Sequence, residues 1–478
     1  MTTRRANLIG GDWIEGGDWS ENRSPSDTSD VIAEFTQGTA AHVDDAVQAA
    51  RAALPAWSRA HQDRSDLLDR VGDRLMARKD ELGELLSREE GKNLAEGKGE
   101  VERAARVFKF FAGEALRGGG EIIPGARPTV AVEARREPVG VVGLITPWNF
   151  PIAIPAWKTA PALAYGNAVV MKPADLVPAS AWALADILRE CGAPAGVFNL
   201  VMGKGSVVGE AILNHPGVEA VSFTGSTGVG AKVAEACARG LKRFQLEMGG
   251  KNPLVVLADA DLDAAVEAAV NGAFFATGQR CTASSRIIVE KPIYAAFIEK
   301  MEARRQALVV GHALDPKTHI GPAVSSAQLN QDLDYVEIGK TEGARLVGGG
   351  ERLTLETDGY YIAPALFADV DNSMRIAREE IFGPVASVIP ANDADHALAI
   401  ANDTEFGLSA GVFTTSLKQA ERFKRELQAG MVMVNLPTAG VDLNAPFGGT
   451  KGSSFGPREQ GPYAREFYTK IKTTYTQA

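Results

Sequence analysis

The chain has 478 residues, 45% of them hydrophobic and 23% charged, a globular composition too long for one ordinary core, so two or three domains are expected. A net charge of −10 without any long basic run argues against a nucleic-acid partner. Three cysteines, Cys191, Cys237 and Cys281, are too few for a disulfide framework.

The opening MTTRRANLIGG lacks the apolar core of a signal peptide. Helical spacing follows, in Val43, Ala46, Val47 and Ala50 and again in Leu68, Val71 and Leu75, so the first third reads as mainly helical. TVAVEAR (129–135) then alternates strictly, as a strand with one wet face does. Short apolar runs at 139–145, 167–172, 197–202 and 218–225, separated by helical patterns such as 178–191, predict a parallel, doubly wound α/β sheet buried on both faces. The most apolar stretch, 141–157, carries three prolines and Asn149 and makes a poor membrane span. No membrane partner and a cytoplasmic location are therefore expected. A second α/β pattern starts near Asn252, with strands at 253–257 and 286–290 around a helix at 261–276, and continues to about residue 440; the boundary falls at Gly249-Gly250. FYTKIKTTY (467–475) alternates again. The two alternating segments are either a paired arm for subunit contact or a peripheral hairpin. The six histidines are scattered, without metal-ligand spacing, and no metal site is expected.

Several segments carry groups capable of chemistry. Asn149, in TPWNFP (146–151), is bracketed by two prolines at the C-terminal end of a strand, where open α/β sheets bind ligands; it is an oxyanion donor or an Asn satisfying a turn. In KPAD (172–175), Lys172 and Asp175 suit ribose hydroxyls, and Asp175 would repel a 2′-phosphate. FTGSTGVG (223–230) places Gly225, Ser226, Gly228 and Gly230 between a strand and a helix, a phosphate-site signal that departs from the G-x-G-x-x-G order. Glu247, in QLEMGGKNP (245–253), is a general base on water or a solvated strand-end glutamate. Cys281, in GQRCTASS (278–285), has small and polar neighbours, and Arg280 beside it would favour the thiolate. It is a nucleophile or a buried structural cysteine, whereas Cys191 and Cys237 continue apolar helix stripes. In EEIFGPV (379–385), Glu380 suits a second ribose and Phe382 a flat ring; the bland alternative is a charged turn.

In this order TPWNFP, KPAD, FTGSTGVG, LEMGGKNP, GQRC and EEIFGPV resemble the aldehyde dehydrogenase superfamily, and the likeness runs from IGGDW (9–13) to PFGG near residue 448. The resemblance implies Cys281 as nucleophile, Glu247 as general base, Asn149 with the Cys281 N–H as oxyanion hole, and Lys158 in a supporting role. It implies cofactor contacts from Ile145, Thr146, Trp148, Lys172, Asp175, Gly205, Gly225, Ser226, Glu380 and Phe382. The implied fold is an NAD(P)-binding domain of parallel-sheet type (1–120 and 141–249), an α/β catalytic domain (250–445) and a small β oligomerisation arm (121–140 and 460–478). Dimers or tetramers are usual in the family. NAD is the expected cofactor; Asp175 stands where NAD-preferring members often carry glutamate, and some NADP use is expected from the shorter carboxylate.

For the substrate, 172–180, 198–206 and 435–461 look like the α-ketoglutaric semialdehyde dehydrogenase branch, which converts 2,5-dioxopentanoate to 2-oxoglutarate. A carboxylate-bearing substrate needs cationic or N–H donors, and Arg280 and Arg117 are the candidates, unless they are ordinary surface arginines. The alternative is a broad aliphatic, aromatic or succinate semialdehyde dehydrogenase. A CoA-acylating relative would not need Glu247, and a catalytically silent member would be expected to lose Cys281, Glu247 or Asn149.

Overall fold

Apolar runs with no polar face make buried parallel strands, and here they form the centre of an eight-stranded sheet. The computed structural model describes residues 3–477; residues 1, 2 and 478, at the outer ends of the predicted cofactor domain and arm, lie outside the described residues. Across the sheet run Ser454–Phe455, Arg243–Glu247, Ala220–Thr224, Val141–Ile145, Ala168–Lys172, Phe198–Leu200, Asn7–Ile9 and Asp12–Ile14. The five strands from Arg243–Glu247 to Phe198–Leu200 are mutually parallel. Val141–Ile145 comes first in the chain. The next two strands build outward on one side, and the chain then returns to Ala220–Thr224 on the other. The order therefore reverses between Val141–Ile145 and Ala220–Thr224, and the carboxyl ends of these two strands open a crevice where such sheets bind ligands. The edge strands were not expected from periodicity. Ser454–Phe455 is only two residues long and pairs antiparallel with Arg243–Glu247, setting Ser454 opposite Glu247.

The first third is less helical than its periodicity suggests. Arg4–Arg5, Trp19–Ser24 and Asp27–Thr36 form a separate three-stranded sheet before the helices begin at Ala40. These strands are mostly polar and partly exposed, so they carry no apolar rhythm to announce them. The helices Ala40–Trp57, His61–Ala77, Lys79–Glu90 and Leu94–Glu114 follow, with Val43, Ala46, Val47, Ala50, Leu68, Val71 and Leu75 buried as expected.

The chain passes from the first sheet to a second between Glu247 and Pro253. The second sheet runs Arg345–Gly348, Ala365–Ala368, Val385–Ala391, Arg286–Glu290, Pro253–Val256, Ser409–Phe413 and Met431–Val434, parallel except at its first strand. The alternating segments pair with each other: Val130–Pro138 lies antiparallel to Thr469–Gln477 along its whole length, with Glu121–Ile123 on its other side. Ile122, Ile471 and Tyr475 are exposed on this three-stranded arm.

Candidate active site

Asn149 follows the first strand of the crevice and precedes the helix Ala153–Ala164. That helix has no side-chain cap of its own at Ile152. The Glu100 carboxylate stands in, accepting the N–H groups of Ile152 and Ala153 at 3.0 and 3.1 Å. Lys92 joins Glu100 at 2.7 Å and donates to the Asn149 carbonyl at 2.7 Å. A buried ion pair thus pins the peptide, and the Asn149 amide donates one N–H to the Gln279 carbonyl at 3.0 Å. Neither Lys92 nor Glu100 stood out in the sequence, because each is an ordinary charged residue until the fold buries it.

The loop that carries Cys281 is held under strain. After helix Leu262–Phe274, Ala276 and Thr277 take left-handed backbone angles, φ 49° and 58°, before Gly278. Such a conformation costs residues with a Cβ on the order of 1–3 kcal/mol each. Glu96 offsets the cost by accepting Ala276 N–H at 3.0 Å and Arg280 at 2.8 Å. Asn252 donates to the Cys281 and Ala283 carbonyls at 2.8 and 2.9 Å. Cys281 itself borders two cavities. One, of about 370 Å³, also takes in Trp148, Asn149, Thr224, Gly225, Ser226, Glu380 and Phe382. The other, of about 250 Å³, is walled by Phe150, Trp157, Arg103, Arg280, Val441 and Phe447.

The expected bias of Cys281 toward thiolate through Arg280 is not found. Arg280 is ion-paired with Glu96. Burial, and then the Glu380 and Glu247 charges, push the Cys281 thiol up to about 12 against the pull of the Cys281 and Thr282 N–H groups.

Glu247 ends its strand beside the crevice, buried, without bordering either cavity. Ser454 donates to it at 2.6 Å. Burial and then the Glu459 charge hold its carboxyl well above the ordinary range, against the pull of Ser454, Lys158 and Arg458. Lys158 is fully buried, donates to Ser222 at 2.7 Å and pairs with Glu459. Glu459 and Ser454 come from the far C-terminal segment, which only the antiparallel edge strand brings here.

The larger cavity has the chemistry a dinucleotide needs. Helix Thr227–Arg239 starts at Ser226 with no side-chain cap, and Ser226 to Val229 are exposed, so the first N–H groups are free for an anion. A Cβ on Gly225 would meet Phe223 at 2.6 Å, so only glycine lets the backbone run this close. Phe382, itself left-handed at φ 62°, meets Trp148 edge-on at 5.2 Å. Glu380 accepts Gly250 N–H at 2.7 Å, and burial raises its carboxyl to about 7. Ile145 pairs with Lys172 across adjacent strand ends, and Thr146 follows with its hydroxyl unpartnered. Lys172 donates to Asp175 at 2.8 Å. Gly205 opens the turn Gly205–Gly209 after a neighbouring strand and would meet nothing if it carried a Cβ. Ile145, Thr146, Lys172, Asp175 and Gly205 lie along the strand ends rather than in the wall of the larger cavity. Gln328 and Gln331, from helix Ser326–Thr341, complete that wall and had no local signal.

Of the two candidate substrate arginines, Arg117 is misplaced. It is exposed, pairs with Glu114 at 2.9 Å and borders neither cavity that reaches Cys281, because helix Leu94–Glu114 ends before it. Arg103, inside that helix and about three turns before its end, borders the smaller cavity instead. Its signal was present: Glu96, Gly99, Glu100 and Arg103 form a stripe at helical spacing on a largely buried helix.

The comparisons agree with this geometry. A profile of the Aldehyde dehydrogenase family matches residues 13–474. The chain is 46% identical to the alpha-ketoglutaric semialdehyde dehydrogenase of Bacillus subtilis, covering 98% of each chain. It is 41% identical to the 2,5-dioxopentanoate dehydrogenase of Saccharolobus solfataricus, covering 97% of each. Its fold superposes on the crystal structure of an NAD-dependent aldehyde dehydrogenase from Sinorhizobium meliloti with a TM-score of 0.97 at 38% identity, covering 100% of this chain and 95% of that one. A cysteine shared by two cavities at the switch point of a doubly wound sheet, and a likeness that spans almost every residue, lead to one assignment: the chain belongs to the aldehyde dehydrogenase family.

Proposed function

We propose that the enzyme oxidises 2,5-dioxopentanoate to 2-oxoglutarate with NAD, through a thioester on Cys281. The observation that supports this reading is the position of Cys281 in the wall of both cavities, so that one sulfur meets an aldehyde from one side and a cofactor from the other. The names of the two semialdehyde-oxidising relatives support the choice of aldehyde.

In this mechanism the Cys281 proton passes to solvent water, and the thiolate sulfur attacks the aldehyde carbon. The Asn149 amide and the Cys281 N–H receive the developing oxyanion. The chemistry the nicotinamide supplies when bound is acceptance of hydride. Re-forming the carbonyl leaves the thioester, and Glu247 takes a proton from water, which attacks the acyl carbon and releases the acid and the Cys281 thiolate. The raised proton affinity of Glu247 suits that task. Lys158 supports Glu247 through Glu459. Ile145, Thr146, Trp148, Lys172, Asp175, Gly205, Gly225, Ser226, Glu380 and Phe382 hold the dinucleotide. Asp175 favours NAD by repelling a 2′-phosphate, with NADP a poorer substitute.

The same reading places the domain boundary at Gly249-Gly250. It gives the arm the role of joining subunits into a dimer or tetramer, supported by exposed Ile122, Ile471 and Tyr475. It puts the enzyme in the reducing cytoplasm, its three cysteines free. The test is an aldehyde series assayed with NAD and with NADP. A higher kcat/KM for 2,5-dioxopentanoate than for uncharged aldehydes is expected; a strong preference for simple uncharged aldehydes removes the substrate assignment.

A further inference from the structure

Three cations border the smaller cavity beside Cys281: Lys92, Arg103 and Arg280. Two are already neutralised. Lys92 sits 2.7 Å from Glu100 and 3.8 Å from Glu90, and Arg280 lies 2.8 Å from Glu96. Arg103 differs. Its guanidinium donates only to neutral acceptors, to the Gln460 side chain at 3.0 Å and to the Val441 carbonyl. Its Nε has no partner, and among the described residues no carboxylate lies within ion-pair distance. Burial disfavours its charge, and the charges of Glu100 and Asp442 only partly restore it. The surroundings are Phe150, Trp157, Val441 and Phe447, which cannot compensate a cation except through the Trp157 ring, 5.8 Å from the guanidinium carbon. Arg103 is half-buried, and a partly desolvated charge without a counter-ion costs free energy that an incoming anion recovers. The Trp157 indole N–H, in the same wall, is also unpartnered. Arg103 and Cys281 line the same cavity, so both belong to one reaction space.

We propose that Arg103 binds the carboxylate of the substrate and so selects aldehydes that carry an acid group at their far end, an inference that rests on the substrate reading above. Gln460 and the Val441 carbonyl each take one N–H of the planar guanidinium and so orient it, and the carboxylate takes a second N–H of its terminal nitrogens. Arg280, held by Glu96 together with Ala276, positions the cysteine loop and does not read the substrate. Aldehydes bearing a cationic group are disfavoured by like charge.

The test compares 2,5-dioxopentanoate with pentanal, an uncharged aldehyde of equal length, in the wild type and in Arg103→Met, Arg103→Lys and Arg280→Met. Arg103→Met should lose about 100-fold in kcat/KM for the acid, mostly through KM, while pentanal changes by less than about threefold. Pentanal turnover certifies that the variant is folded. Arg103→Lys should recover part of the loss, because it restores charge without the planar fork. Arg280→Met should lower both substrates together, as a displaced cysteine loop would. Equal losses for both substrates in Arg103→Met, or a loss confined to the acid in Arg280→Met, overturn the assignment while leaving the substrate reading intact. A wild type that prefers pentanal removes both.

Discussion

The two cavities that meet at Cys281 are built in opposite ways. The larger one is assembled largely from short segments at the ends of neighbouring strands: Trp148 and Asn149 after Val141–Ile145, Gly225 and Ser226 after Ala220–Thr224, Gly249 after Arg243–Glu247. Each segment carries its own chemistry, and the reversal of strand order sets them side by side. The smaller cavity takes one wall from helix Leu94–Glu114, another from helix Ala153–Ala164 and a third from 439–447. Nothing local marks these as partners. The difference teaches that a cavity at strand ends is written in local segments, whereas a cavity between packed helices is written only in the fold.

The comparison breaks most completely if the shared atom is removed. Cys281→Ala should lower turnover by at least about 10⁴-fold while NADH binding, followed by its fluorescence, stays unchanged. Loss of NADH binding would mean that the cysteine shapes the larger cavity rather than serving both. Next in size is Glu247→Gln, expected to slow steady-state turnover by about 10²- to 10³-fold while sparing acylation, so that a burst of NADH precedes slow release. Robust steady turnover would remove Glu247 from the water step.

A smaller effect tests the electrostatic link between the sides. Glu380 raises the Cys281 thiol, so Glu380→Gln should lower its proton affinity from about 12, and iodoacetamide inactivation should reach its plateau at lower pH than in the wild type. Unchanged pH dependence would mean that burial alone sets the thiol.

The smallest expected effect lies behind the larger cavity, where Asp332 is fully buried with one oxygen unpartnered and Gln328 bonded to the other. Burial raises its carboxyl from 3.8 to about 8. In the unfolded chain it ionises near the lower value, so its contribution to stability is intact below that value and declines as pH rises toward 8. Asp332→Asn should therefore raise Tm by about 3 °C more at pH 8 than at pH 5, measured by calorimetry. An equal change at both pH values would show that the carboxylate is charged throughout.

The sequence by itself determined the parallel sheets, the alternating strands of the peripheral three-stranded sheet, and the motifs around Asn149, Gly225, Glu247, Cys281 and Glu380. In each case the information lies within a few residues: apolar runs demand burial on two faces, and glycines permit close backbone approach. The polar N-terminal sheet was hidden because its strands lack apolar alternation. Tertiary structure alone decided which charges are compensated. Arg280 looked available next to Cys281 and is neutralised by Glu96, nearly two hundred positions away; Arg117 looked available to a substrate carboxylate and is exposed past the helix end, paired with Glu114. Ser454 and Glu459 reach Glu247 only through an edge strand two residues long. Burial and long-range charge act through space, and spacing along a chain carries no record of them until the fold has closed.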